Sequence, residues 1–274
     1  MIEFLQIMTM PFLACLVLTG IHAYLGFHVI ERQVIFVDLA LAQIAVLGAS
    51  IAIIFGYEMH SMQGYSISLV FTLIGAGLFA LTRFKKQKVP HEVIIGIVYV
   101  VSSALMMIIL NFSGEGTEHI RQSLVGNILL VTPSEVGKIF LIYSFVGIVH
   151  FLFRKKFYLI SDSPNQAFEQ GLNVRGWDFL FYATFGLVVT SSVKIAGVLL
   201  VFSFLVIPAV CAMLLADNLQ SRLILGWMIG TVGSMLGMAV SYYFDLPTGA
   251  SVVCVFGLIL IFMACIKRIQ TLYA

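Results

Sequence analysis

The chain reads as an all-α, multi-span membrane protein with about nine transmembrane helices. Three observations predict this class. Hydrophobic residues fill 61% of the 274 positions and charged residues only 10%, whereas soluble domains are about a quarter charged. The apolar residues gather in runs of about twenty, the length that crosses a bilayer. Lys and Arg are concentrated in alternate connecting segments, as they are in membrane proteins of fixed orientation.

The runs cover roughly 4–29, 34–56, 66–82, 93–111, 136–153, 177–193, 196–215, 224–244 and 251–266, in one domain over 1–274. The first lacks a basic leader and a small-residue cleavage site, so it is expected to stay as a span. The sixth and seventh are separated at Ser191-Ser-Val-Lys194-Ile-Ala-Gly197, read as a polar hairpin, because forty apolar residues are too many for one crossing. With the N-terminus outside, twelve of the fifteen basic residues fall on inside segments. Arg121, Lys138 and Lys194 remain outside. The bias sets an N-out, C-in orientation.

Within the second run, Val34-Ile-Phe-Val-Asp38-Leu-Ala-Leu-Ala-Gln43, Asp38 is the one acidic residue of thirteen read as lying clearly inside a span. A carboxylate in hydrocarbon costs at least a few kcal/mol. It faces a water-filled path, a partner or a cation, or it reaches back to the headgroups near Arg32. His22, midway along the first run, lines a polar path or bonds to a neighbouring helix; His28 lies near the cytoplasmic end of that run. His60, in the external patch Glu58-Met-His60-Ser-Met62, belongs to an ordinary wet loop or to a site for a soft cation, with the loop favoured.

Two connecting segments are long. The external one, Asn111 to Glu135, holds an amphipathic stretch around His119 to Val131. The internal one, about 154–178, opens with Arg154-Lys-Lys156 and continues Ser161-Asp-Ser-Pro164-Asn-Gln-Ala-Phe-Glu-Gln-Gly171. Asp162 or Ser163 as cap, Pro164 at the first position and Gly171 at the stop predict a short surface helix. It would offer Ala167, Phe168 and Leu172 to a partner, or be a solvated connection. Gly233 and Gly237 have the spacing that lets helices approach closely, with a gating hinge as the other reading. Pro208 is expected to kink its helix.

The chain is poorly equipped as an enzyme. His91-Glu92 lacks the second His one turn on, where Ile95 stands. No phosphate-binding loop of the type G-x-x-x-x-G-K-[ST] occurs, and no nucleophile elbow or plausible triad is found. Cys15, Cys211, Cys254 and Cys265 sit in apolar runs without paired spacing, so neither a disulfide framework nor a thiolate metal site is expected.

Several stretches together resemble one family. Val193-Lys-Ile-Ala-Gly197 through Ile207-Pro208-Ala, Ser241-Tyr-Tyr-Phe-Asp245-Leu-Pro247-Thr-Gly249, the 161–174 segment, Gly126-Asn-Ile-Leu and Glu92-x-Ile-Ile-Gly96 resemble the permease subunits of bacterial zinc, manganese and iron ABC transporters. The resemblance implies an importer permease in the bacterial cytoplasmic membrane that passes a divalent transition metal through a homodimer. Its partners would be a separate ABC ATPase and an extracytoplasmic metal-binding protein, with surrounding lipid and no nucleic acid. ATP would be used by the partner, and no cofactor would be bound by this chain. It also implies that Asp162, Pro164, Ala167, Phe168 and Gly171 dock the ATPase. A permease for a metal chelate or small cofactor is the alternative.

One departure stands out. The family's second span reads Arg-x-x-x-x-x-Asp-Ala-Leu-Ser-His, and here Arg32 and Asp38 keep the spacing while Ala42 replaces the His. Gln43 is one place further on, turned by about 140° from Asp38 on a regular helix. Loss of an imidazole favours manganese or ferrous iron over zinc, since these accept oxygen-rich sites. Asp38, Gln43 and His22 are the expected pathway residues; Pro208, Gly233, Gly237, Asp245 and Pro247 are expected to be structural or gating.

Overall fold

A computed structural model describes residues 2–58, 61–83, 89–113 and 124–273. His60, Lys85, Lys86, Lys88 and the stretch from His119 to Arg121 lie outside the described residues. The rest is helical: α1 (Ile2–Glu31), α2 (Val37–Ile54), α3 (Met62–Leu81), α4 (His91–Ser113), α5 (Pro133–Leu152), α6 (Arg154–Asp162), α7 (Pro164–Glu169), α8 (Val174–Leu215), α9 (Leu219–Phe244) and α10 (Thr248–Tyr273), with a 3-10 turn at Ile128–Leu130 before α5. Among the described residues, eight helices are long and apolar enough to cross a membrane.

Local chemistry explains several boundaries. Ser61 accepts the Gly64 N–H at 3.1 Å to start α3, and Asn218 accepts the Ser221 N–H at 2.8 Å to start α9. At α5, Thr132 and Glu135 bond reciprocally. The Glu135 carboxylate takes the Thr132 N–H at 3.0 Å and the Thr132 hydroxyl accepts the Glu135 N–H at 3.3 Å. That is a capping box with Pro133 at the first helical position. α9 ends on Asp245, in left-handed backbone with φ 52°; Ser241 then bonds Leu246 and Thr248 to fix the turn into α10. Asp245 and Pro247 are therefore exposed turn residues.

The chain divides into two compact units. The first comprises Met1–Phe27, Leu124–Tyr143 and Ile195–Ala274; the second comprises His28–Ser123 and Ser144–Lys194. In the first unit, α9 packs on α10. A Cβ at Gly237 would meet the Val252 backbone at 2.5 Å, and one at Gly233 would meet the Phe256 ring at 2.3 Å. Both glycines are places of close helix approach, as their spacing predicts. In the second unit, α2 packs against α3 and α4, and Ser68 on α3 donates to the Ala45 carbonyl of α2 at 2.7 Å. The faces of α4 bearing Val93, Ile97, Val100 and Ile108, and of α10 bearing Leu258 and Phe262, are exposed and apolar, as lipid contact requires.

The sixth and seventh runs differ from expectation. No polar hairpin separates them. Ser191 and Ser192 are buried in helix, and their hydroxyls donate back to the Leu187 and Val188 carbonyls, which satisfies them without a loop. α8 is continuous over 42 residues except at Gly197, where φ 75° and ψ 161° leave helical geometry. At about 1.5 Å per residue the helix is about twice as long as the hydrocarbon is thick. The break yields 174–196 and 198–215, each close to one crossing in length.

Gly197 breaks there because another segment lies against it. Gly126 also has positive φ, 64°, and a Cβ on it would sit 2.2 Å from the Ala196 carbonyl carbon. A Cβ on Gly197 would in turn meet the Gly126 nitrogen at 2.3 Å. The Asn127 N–H donates to the Ile195 carbonyl at 3.2 Å. Only glycines permit this backbone-on-backbone contact. Pro208, expected to kink its helix, lies inside α8, and the non-helical backbone of α8 is at Gly197.

Candidate metal pathway and a buried ion network

α2 begins at Val37, so Asp38 occupies its first turn rather than the middle of a span. The helix N-terminus favours a carboxylate there. The side chain is only 2% exposed, and its Oδ1 has no hydrogen-bond partner; burial within the protein removes the reading in which it reaches headgroups. Just ahead of it, the Phe36 N–H donates to Glu92 Oε1 at 2.9 Å, while Glu92 Oε2 is buried without a partner.

Gln43 is 4% exposed and its amide Oε1 also lacks a partner. Asp38 and Gln43 point about 140° apart on α2, yet both are buried because neighbouring helices cover most of α2, with fourteen of its eighteen residues buried. His22 belongs to the other unit and is fully buried; its Nδ1 lies 2.8 Å from the Leu18 carbonyl and its ring meets Tyr143 edge-on. A carbonyl only accepts, so Nδ1 carries a proton. Among the described residues, no group of three His, Cys, Asp or Glu lies close enough to hold a metal ion.

The strongest electrostatic cluster is elsewhere, and the sequence reading missed it. Asp178 is 0% exposed on the second turn of α8. Its Oδ1 accepts from Arg32 Nη1 at 2.6 Å, and its Oδ2 lies 3.2 Å from Arg83 Nε. Arg32, just past α1, also lays its guanidinium over the Phe181 ring at 3.9 Å, and Arg83 follows the end of α3. Arg32, which matches the family spacing to Asp38, thus pairs with Asp178. A usable signal existed: Asp178, Phe181, Tyr182 and Phe185 follow helical spacing on one face, and all four are fully buried.

Ser161 completes the cluster. Its hydroxyl donates to the Phe157 carbonyl at 2.8 Å and accepts from Arg32 Nε and from His28 Nδ1, each at 2.8 Å. One donor and two acceptor sites are all used. His28 is therefore a structural partner of Ser161. His150 stacks on Phe157 with centroids 4.3 Å apart and donates to Thr184 at 2.9 Å.

The surface segment follows its predicted course, with two corrections. Pro164 opens α7 at its first position, and Gly171, with φ 72°, lies just past its end. Ser163 makes no capping bond and instead donates to Asp162 at 2.9 Å. Ala167, expected to face a partner, is fully buried in a cluster with Ile160 and Val174, and Phe168 and Leu172 pack against that cluster. A six-residue helix lying on its own chain must bury one face, and Ala167 is on it. The exposed positions include Asp162, Asn165, Gln166, Glu169, Gln170 and Gly171.

The described residues thus form a helical bundle with eight candidate membrane spans and a short helical surface segment before α8. Consistent with this, PsaBC from Streptococcus pneumoniae, solved in complex with Fab, superposes with a TM-score of 0.79 over 96% of this chain and 93% of that one, at 22% identity. The ABC 3 transport family model matches residues 4–267, and the chain belongs to that family. Relatives include the manganese transport system membrane protein MntC of Listeria monocytogenes, 29% identical across 74% of this chain and 73% of that protein. Another is the chelated iron transport system membrane protein YfeD of Yersinia pestis, 27% identical across 69% and 65%.

Proposed function

We propose that this chain is the membrane permease of an ATP-driven importer for a divalent transition metal, manganese or iron ahead of zinc. The family match over nearly the whole chain supports the class, and relatives named for manganese and chelated iron support the cargo. The observation that carries the site is Asp38, a buried carboxylate with an unpartnered oxygen. Asp38 and Gln43, on different faces of α2, offer oxygen donors along the path, which suit manganese and ferrous iron.

In this reading the chain sits in a bacterial cytoplasmic membrane, N-terminus outside, with α8 counted as two of nine crossings. Two copies form the path, an extracytoplasmic protein delivers the metal, and a separate ATPase docks on the exposed side of α6 and α7. ATP-driven movement of that segment switches the path between outward and inward openings.

Vesicles carrying the permease with its ATPase and binding protein test this by competitive uptake of Mn²⁺, Fe²⁺ and Zn²⁺. Asp38→Asn is expected to cut uptake at least about tenfold, or about 1.4 kcal/mol, with insertion and ATPase co-purification intact. Normal uptake by that variant would remove Asp38 from the pathway. Offering the metal free and chelated separates ion transport from the chelate alternative. For docking, Gln166→Lys combined with Glu169→Lys is expected to weaken ATPase co-purification while the thermal stability of the permease is unchanged.

A further inference from the structure

The α6–α7 elbow is held by the same side chains that surround Asp178. Ser161 is the penultimate residue of α6, two positions before the residue that joins it to Pro164 of α7. Arg32 bonds its hydroxyl at 2.8 Å, and Arg83 Nη2 reaches the adjacent Ile160 carbonyl at 3.5 Å. Both guanidinium groups share Asp178, so one carboxylate positions two cations that grip the elbow from two other helix ends.

On its other side, Arg32 leads directly to α2. It opens a turn closed by main-chain bonds: Arg32 N–H to His28, Gln33 N–H to Ile30, Val34 N–H to Val29 and Val37 N–H to Val34, at 3.0 to 3.1 Å. Gln33 adopts left-handed backbone with φ 56°. Such a turn moves as a block, and it ends one residue before Asp38. The elbow, Ser161, Arg32, this turn and the first turn of α2 are therefore one continuous polar and covalent path within the second unit.

We propose that Asp178, Arg32 and Ser161 form a latch that transmits displacement of the α6–α7 elbow to the first turn of α2, and so to Asp38. These are positioning residues: none touches cargo, and Asp178 acts through Arg32 by fixing the direction of its guanidinium. When the elbow shifts, Ser161 pulls Nε while Asp178 holds Nη1, and the shift goes into the Arg32 main chain. The inference rests on the docking reading of α6–α7 given above.

The test uses the intact permease–ATPase complex in proteoliposomes, with Mn²⁺ as cargo. Ser161→Ala removes only the hydroxyl bonds. Arg32→Lys keeps a cation for Asp178 but has no Nε to hold Ser161. Both are expected to co-purify with the ATPase as the unaltered chain does, while ATP hydrolysed per Mn²⁺ imported rises several-fold. Hydrogen exchange on ATP binding is expected to change at residues 33–38 in the unaltered complex and not in the variants. A merely structural role would lower yield and leave both the ratio and the exchange response of surviving complexes unaltered; that result overturns the latch. Wild-type coupling in both variants overturns it equally. Absence of Mn²⁺ import by the unaltered complex would instead sink the transport reading, so the two failures are distinguishable.

Discussion

Asp38 and Asp178 lie in the same unit, near the starts of two helices, and each is almost wholly buried. Their surroundings are opposite. Asp178 has guanidinium groups at 2.6 and 3.2 Å, so its charge is matched, with one positive charge to spare. Asp38 has an oxygen with no partner at all, beside a second carboxylate, that of Glu92, that also keeps an unpartnered oxygen. A paired buried charge is an element of structure, because removing either partner strands the other. An unpaired one has a standing cost, which suits a site that is completed only when a cation passes. Burial does not separate the two, nor does a missing hydrogen bond, since Asp178 Oδ2 also lacks one; the missing counter-charge at Asp38 does.

The comparison can be broken at several points. The largest effect is expected at the paired residue: Asp178→Ala strands two buried arginines and should destabilise the chain by about 3–5 kcal/mol. Thermal unfolding in detergent checks it, and a well-folded variant would erase the distinction from Asp38. Asp38→Asn should do the reverse, leaving that unfolding temperature unchanged or higher while uptake collapses as stated above. Arg83→Met is expected to cost less than the aspartate change, about 1–3 kcal/mol, since Asp178 keeps its shorter bond to Arg32. The smallest stability change is expected for Gln43→Leu, which removes an unpartnered amide oxygen. It should be neutral or stabilising by about 1 kcal/mol, with Mn²⁺ uptake falling a few-fold. Ala42→His restores an imidazole one turn from Asp38 and should raise zinc uptake relative to manganese, measured in the same vesicles.

Part of the candidate site is legible in the chain. Asp38 and Gln43 stood out because polar residues are rare in an apolar run, and α7 was written in Pro164 and Gly171. Asp178 gives no such signal, because it sits at the edge of its run, where acidic residues ordinarily face water. Only its spacing with Phe181, Tyr182 and Phe185 betrays the buried face. Ala167 was misjudged for a related reason: six residues of mixed polarity do not say which side is covered, and Ile160 and Val174, distant in pattern, decide it. The serines at 191 and 192 looked like a loop, yet in a helix each hydroxyl finds the carbonyl a turn back.

The sequence by itself determined that the chain is helical, that it spans the membrane many times and which family it resembles. These follow from run lengths, charge placement and local caps, all of which act over a few residues. The tertiary structure alone decided which charges are neutralised, which glycine breaks α8 and which face of the surface segment is free. Arg32 meets Asp178 across 146 positions, and Gly126 meets Gly197 through backbone atoms that carry no side-chain signature. Such pairings depend on how helices pack, and packing energy is set by surfaces that no local pattern describes.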